Sequence, residues 1–367
     1  LDEVILSTAL SRFSGGVEAP SKLWIMAAQA LGVDSEKMST PDPTHLNHRQ
    51  LQFQSEFVDY DLGKTPRPNI SVKPEATRLS VSQIEGFLSC PFIFMARKLF
   101  RLAQLPEMEL DVDHMTRGKV MHALFEKLTA EPFNSALPDE ELRQIVSKCI
   151  EDEKINDDFT QQRVVTIYMR LAKRFLEFEK GWREQFPRTK TVGREARISA
   201  FWSLETGELV KEGGDFPFLG FVDRIDSDQE GHLLLIDYKS SSSQEKNYGS
   251  WLKYDQLQMA VYAYAVDSGL CEEVSGEVVG ANYFVAKTFS RNKGFLVKSK
   301  AESLAPRPGR GTAITEDEKF SLYSDVKAVV QNSATAIAKG ELQVNPKELS
   351  QCLKCDWKQI CRAPHLI

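Results

Sequence analysis

Apolar positions along the chain follow a helical period at both ends and a two-residue period in the middle. Leu23, Trp24, Ala27, Ala30 and Leu31 recur at helical spacing after Pro20 and predict a helix there. From Thr40 to Thr77 periodicity fades while Pro41, Pro43, Pro66, Pro68 and Pro74 recur, the pattern of a wandering connector. Ser80, with Gln83 three residues on, forms a capping box for a helix that carries Ile84, Phe87 and Leu88 toward Cys90-Pro91. Further helices are expected from Gly118 to about Ala130 and, in two or three segments, from Asp139 to Trp182. Strand patterns follow at Thr191–Trp202, Phe216–Asp226 and His232–Lys239, the last two joined by the hairpin-turn composition Asp228-Gln229-Glu230-Gly231. Lys253–Asp267 reads as a helix, Val274–Ala286 and Gly294–Lys298 as strands, and Glu316–Lys339 as a long helix. Without an internal repeat, this order predicts an α/β fold: a mixed central β-sheet with helices before, between and after its strands.

Composition narrows the class. A chain of 367 residues, 42% apolar and 27% charged, suits an ordinary soluble globular protein of one large domain with an appendage, or of two domains. No window nears the roughly 18 apolar residues of a membrane span, and no secretory signal is visible. The chain starts at Leu1 rather than Met, which reads as a fragment of a longer protein. A net charge of −6 gives no global pull toward a polyanion, but the footprint of nucleic-acid binding is local. Three of the six cysteines fall in the last sixteen residues, which in a chain that reads as cytosolic favours a metal site over disulfides. Gly309-Arg310-Gly311-Thr312 lacks the frame of a phosphate-binding loop, so ATP hydrolysis by this chain alone is not expected.

The strongest chemical signal is Gly220-Phe221-Val222-Asp223, a turn, and then Leu233-Leu234-Leu235-Ile236-Asp237-Tyr238-Lys239. Side chains alternate along a strand, so Asp237 and Lys239 share a face, and the apolar run before them suits a central strand. Hairpin pairing would bring Asp223 beside Asp237, and two convergent carboxylates can hold a hard cation such as Mg²⁺. A lysine two residues on can position or deprotonate water and balance charge on phosphate. A bare Asp-x-Lys is more often a surface ion pair, so the surrounding set decides. His122 and Glu126 share a helix face, as do Gln258 and Tyr262, although each pair alone is ordinary.

In this order and at about these intervals, His122, Asp223, Asp237-Tyr238-Lys239 and Gln258…Tyr262 resemble the nuclease domains of the bacterial RecB and AddB recombination enzymes, of the PD-(D/E)xK superfamily. CRISPR-associated adaptation nucleases share that core. The resemblance spans roughly Arg78 to Cys361 and implies a restriction-endonuclease-like fold. It implies that Asp223, Asp237, His122 and the Tyr238 carbonyl bind Mg²⁺ or Mn²⁺, and that Lys239 acts on the nucleophilic water. Gln258 and Tyr262 would line the site and contact the substrate strand. Glu195 stands where relatives often carry an acid, without an assigned role. Asp226 falls on the strand face opposite Asp223 and reads as structural.

Residues 1–76 resemble the degenerate helicase-like segment that precedes such a nuclease, with 77–367 the nuclease domain. That implies a helicase–nuclease of double-strand-break repair in a bacterial cytoplasm, with a helicase partner and an exonuclease acting on single-stranded or unwound DNA ends. The rival readings are a free-standing exonuclease, a catalytically silent DNA-binding module, and a zinc-stapled structural domain.

Cys352, Cys355 and Cys361 form a tight C-terminal set, with Cys90 the best fourth thiolate. Four thiolates suit zinc by charge and geometry. The resemblance implies a [4Fe–4S] cluster stapling the domain's ends, and closing so long a loop constrains the unfolded chain. Cys149 and Cys271 match no motif and read as ordinary buried or half-buried thiols. Between Lys287 and Gly311, Lys287, Arg291, Lys293, Lys298, Lys300, Arg307 and Arg310 face one acid, Glu302, with Phe289 and Phe295 interleaved. Such a stretch can track phosphates and stack bases, or form a solvated loop.

Overall fold

The computed structural model describes residues 72–103 and 113–361, apart from 154, 156, 157, 242–245 and 310. The chain divides into two compact units, Leu1–Pro68 and Asn69–Ile367, and every described residue belongs to the second. The helix expected after Pro20 and most of the proline-rich connector lie outside the described residues. The connector's described end makes a short 3₁₀ turn, Pro74–Ala76.

Seven strands form one mixed sheet: β1 (Lys190–Trp202), β2 (Leu209–Val210), β3 (Phe216–Ser227), β4 (His232–Lys239), β5 (Glu277–Val285), β6 (Ser290–Val297) and β7 (Ala313–Ile314). Their spatial order is β2-β1-β3-β4-β5-β6-β7. β1, β3 and β4 pair antiparallel, as the hairpin turn requires. β4 and β5 pair parallel, and a parallel pair needs a crossover, supplied by helix α5 described below. The burial record follows from these positions. β3 alternates up to Phe221 and is then buried continuously to Ser227, while β4 is buried from Leu233 through Tyr238. That is the signature of a strand covered on both faces.

Six longer helices supply the cover: α1 (Val81–Ser89), α2 (His114–Leu128), α3 (Asp139–Asp152), α4 (Asp158–Gln185), α5 (Gln258–Asp267) and α6 (Glu316–Ala338). The capping box of α1 is present, Gln83 Oε1 accepting from the Ser80 amide at 3.0 Å. Helices α2 and α4 lay Phe125, Phe175 and Phe178 on the face that carries Tyr238 and Phe284. Phe125 and Phe175 stack at 4.0 Å, and the Phe125–Tyr238 centroids are 5.0 Å apart. Helix α5 packs on β4 and β5 and also against α6 and α1. Among the described residues no helix is long and apolar enough to cross a membrane.

Three expectations change. The helix expected from Lys253 begins only at Gln258, because 248–255 form a 3₁₀ turn and further turns, with Asp255 left-handed at φ +54°. Arg291, expected to contact DNA, is a fully buried side chain. It pairs with Glu179 of α4 and lies over the Trp182 ring at 4.5 Å. Arg224 Nη2 lies 2.9 Å from Glu179 Oε2, and its Nε donates to Asp226 Oδ1 at 2.6 Å. Thr191 Oγ1 donates to the same Asp226 oxygen. Two guanidiniums and two carboxylates thus balance inside the sheet–helix interface, and Asp226 is structural as expected. Phe295, expected to stack on bases, is fully buried in the core.

Removing one member of a buried ion set leaves an uncompensated charge. Arg291→Ala should therefore destabilise the fold by about 3–5 kcal/mol in chemical denaturation. The exposed Lys287→Ala should stay within about 0.5 kcal/mol of the parent.

Candidate active site

The β3–β4 ladder pairs Ser227 with Leu233 and ends at Arg224 with Ile236. Continued by one position, the register sets Asp223 opposite Asp237, and there a side chain takes over from the backbone. Asp223 Oδ2 accepts the Tyr238 amide proton at 2.7 Å. That bond pins the carboxylate and satisfies a buried donor with no carbonyl facing it. His122, on α2, brings Nδ1 to 3.4 Å from the same oxygen. Glu195 arrives from the other side. β1 pairs Arg194 with Arg224 and Ala196 with Val222, so Glu195 faces Asp223. Its φ is +47°, a left-handed non-glycine conformation that costs on the order of 1 kcal/mol or more and gathers at functional sites. One donor atom each from His122, Glu195 and Asp223 lies within 4.8 Å of the others.

Crowded acids make the site electrostatically tense. Asp237 is 4% exposed. Burial and the neighbouring Asp223 raise its pKa to about 6, although Lys239 opposes the rise. Burial, then Asp223, raises Glu195 to about 7. Burial acts to lower His122, but its hydrogen bond to Asp223 and the charges of Asp223, Asp237 and Glu195 outweigh it, and the net shift is upward. Lys239 Nζ is 2.6 Å from Asp237 Oδ2. Burial acts to lower this lysine too, but Asp237 more than compensates and holds it protonated. One ammonium among three carboxylates leaves surplus negative charge, which a divalent cation relieves. Carboxylate and imidazole donors at this spacing fit such an ion.

A family profile for the PD-(D/E)XK nuclease superfamily matches residues 78–362. The chain belongs to the PD-(D/E)XK nuclease superfamily. Membership indicates a metal-dependent nuclease, a hydrolase acting on DNA with Mg²⁺ as the usual metal. No curated protein matches the chain.

In this PD-(D/E)XK domain the remaining sequence-derived residues divide. Gln258 opens α5, and Tyr262 lies one turn on. Tyr262 sits beside Gln258 and the Phe221 backbone, and burial, reinforced by Asp237, pushes its phenol to about 12. Gly220 makes room for it: a Cβ there would lie 2.8 Å from the Tyr262 ring. Tyr238 keeps its ring in the aromatic core, and its amide is what holds Asp223.

Sequence reasoning missed Glu85. This carboxylate, on α1, accepts from the amides of Leu257 at 2.7 Å and Gln258 at 3.2 Å. Burial raises its pKa to about 7, opposed by those amides and by the charge of Lys239. The available signal was an acid set between Ile84 and Phe87 on an apolar helix face.

Cys90, Cys352, Cys355 and Cys361 all line one depression of about 330 Å³, together with Phe92, Ile93 and Trp357. Burial, with the neighbouring Cys90 and Cys355, raises the Cys352 thiol. By donor type the set suits a thiolate-held metal centre, although these sulfurs do not converge within 4.8 Å of one another. Cys149 and Cys271 are buried elsewhere, as expected.

The basic stretch does not form one track, because the chain reverses within it. β5 ends beside Lys239, and β6 runs back from that edge. Lys287 is therefore exposed near the site edge, and Lys293 pairs with Tyr283, itself in register with Asp237. Lys298 and Lys300 lie at the far end of β6, roughly 25 Å away at about 3.3 Å per residue. There Lys300 Nζ is 3.1 Å from Glu316 and also engages Glu277.

The raised carboxylates fix the sign of the pH response. Asp237 and Glu195 keep protons in the folded protein that the unfolded chain releases near pH 4. Their contribution to stability is present at low pH and is lost as pH rises through about 6 to 7. Mg²⁺ competes with those protons, so its affinity should rise across the same window. Melting temperatures in Mg²⁺ and in EDTA should diverge between pH 5 and pH 8, and parallel curves would count against a shared metal site.

Proposed function

We propose that this chain is the nuclease part of a helicase–nuclease of DNA double-strand-break repair, cutting single-stranded or helicase-unwound ends as an exonuclease. The observation that carries this reading is the convergence of His122, Glu195 and Asp223, with Asp237 opposite Asp223 in register and paired with a protonated Lys239, at the end of a covered central strand. Bound at these donors, with the Tyr238 carbonyl as a further ligand, Mg²⁺ or Mn²⁺ supplies activation of water and stabilisation of charge on phosphate.

The chain's own groups do the rest. Asp223, held by the Tyr238 amide, and Asp237, held by Lys239, present oxygens in fixed directions. Lys239, kept cationic, donates to the attacking water or to a phosphate oxygen, which suits positioning and charge balance better than proton abstraction. Gln258 and Tyr262 line the side reached by the substrate strand. Lys287 and Lys293 lie on the edge where its phosphates would pass. Cleavage in this sense leaves a 3′-hydroxyl and a 5′-phosphate.

The reading extends to a [4Fe–4S] cluster on Cys90, Cys352, Cys355 and Cys361. Its support is the one depression these thiols share, walled by apolar side chains. A structural role is favoured, since the ligands join sequence-distant ends of the domain.

End-labelled single-stranded DNA with Mg²⁺, Mn²⁺ or EDTA tests the central reading. Asp237→Ala and Lys239→Ala should each lower the cleavage rate by about a hundredfold or more in protein that circular dichroism shows to be folded. A folded, metal-supplied parent that binds DNA without cutting it would instead favour a silent binding module. For the cysteines, Cys352→Ser should lose iron and visible absorbance and melt at lower temperature. Zinc in the purified parent would replace the cluster with a mononuclear site.

A further inference from the structure

Helix α5 carries Gln258 and Tyr262, yet its own sequence gives it no cap. Leu257 occupies the capping position and offers no side-chain acceptor. The first amides of a helix need partners, and here one carboxylate from 172 residues away takes two of them: Glu85 Oε1 accepts from Leu257 and Gln258. A negative group at a helix N-terminus is also favoured by the helix dipole. The preceding turn is held from a second side. Lys347 Nζ donates to both oxygens of Asp255 at 2.8 Å and to the Lys253 carbonyl at 3.1 Å, bracing the left-handed Asp255.

Both braces lead to the cysteine end of the domain. The Lys347 amide donates to the Ser89 carbonyl at 2.9 Å. Ser89 Oγ donates to Gln351 Oε1 at 2.7 Å, next to Cys352. Ser89 lies four residues after Glu85 on α1, one turn along the same face. From the C-terminal tail through Ser89 and Glu85 to the first turn of α5, named bonds link the depression lined by the four cysteines to Gln258.

We propose that Glu85 is a positioning residue of this nuclease: with Lys347 it fixes the 251–257 turn, and so holds Gln258 and Tyr262 in register with Asp237 and Lys239. The inference rests on the nuclease reading above. Glu85 acts through two backbone amides, so its role needs an acceptor oxygen rather than a charge. Tyr262 depends on the same turn, because it lies one helical turn after Gln258 on α5.

The test is single-turnover cleavage of end-labelled single-stranded DNA in Mg²⁺, with affinity for the same DNA measured by anisotropy in EDTA. The parent, Glu85→Ala, Glu85→Gln, Lys347→Ala, Gln258→Ala and the double variant Glu85→Ala/Gln258→Ala are compared. Glu85→Ala should slow cleavage by about ten- to a hundredfold, as expected for a displaced group, with affinity changed by less than about twofold. Glu85→Gln keeps an acceptor and should recover most of the rate. The double variant should be no slower than the slower single, because both changes act on one unit. Amide exchange at Leu257 and Gln258 should speed up in Glu85→Ala. A parental rate in Glu85→Ala, a Glu85→Gln as slow as Glu85→Ala, or additive losses in the double variant would each overturn the proposal. If Glu85→Ala does not fold, Lys347→Ala decides: slowed cleavage at parental affinity supports it, and a parental rate overturns it. A folded parent that cuts nothing overturns the nuclease reading itself.

Discussion

Asp223 and Asp237 face each other at the end of a buried ladder, and most of the surrounding structure can be understood as what keeps that pair in place. Two carboxylates under a helical layer repel one another and lose hydration, as the rise of Asp237 to about 6 records. They are tolerated because each has a fixed partner: Asp223 the Tyr238 amide and His122, Asp237 the ammonium of Lys239. Glu195, held in a left-handed conformation, adds a third negative group rather than relief. A site that stores repulsion in this way is built to be completed by a cation.

The central strand divides the labour between its faces. Tyr238 points into the aromatic layer of α2 and α4, on the side where Arg224 and Arg291 neutralise Glu179 and Asp226. That side is closed and charge-balanced. Asp237 and Lys239 point the other way, toward α1 and α5, where the balance is incomplete. Period-two alternation therefore separates a supporting ion set from a chemical one within three residues of sequence. A one-residue slip of β4 would exchange them, which ties register directly to activity.

Stability and chemistry also meet at the domain's ends. Helix α1 precedes Cys90 in the chain, and the C-terminal tail carries the other three cysteines. Both reach the turn before α5 through Glu85 and Lys347. Ordering the termini and ordering the site are thus parts of one hydrogen-bonded arrangement. A metal held by the four thiols, as proposed, would therefore order the site as well as the termini.

Much of this was legible in the sequence where local rules dominate. The strands at His232–Lys239 and Phe216–Ser227, their hairpin turn, the capping box at Ser80 and the structural role of Asp226 all follow from periodicity, turn chemistry and pleat. The ordered set His122, Asp223, Asp237 and Lys239 pointed to the superfamily, since its spacing is a one-dimensional record of the site. What the sequence could not supply depends on partners distant in the chain. Arg291 reads as a basic contact until Glu179, 112 residues away, is seen to bury it. The basic stretch reads as continuous until β6 is seen to carry Lys298 and Lys300 to the end of the strand away from Lys287. The start of α5 and the role of Glu85 were hidden because the cap comes from 172 residues upstream. Sequence by itself determined the elements and the chemical cast, because those rest on local preference and pleat. Only the tertiary structure decided which charges face solvent, which neutralise one another and which remain for chemistry, because electrostatic partnership depends on distance in space.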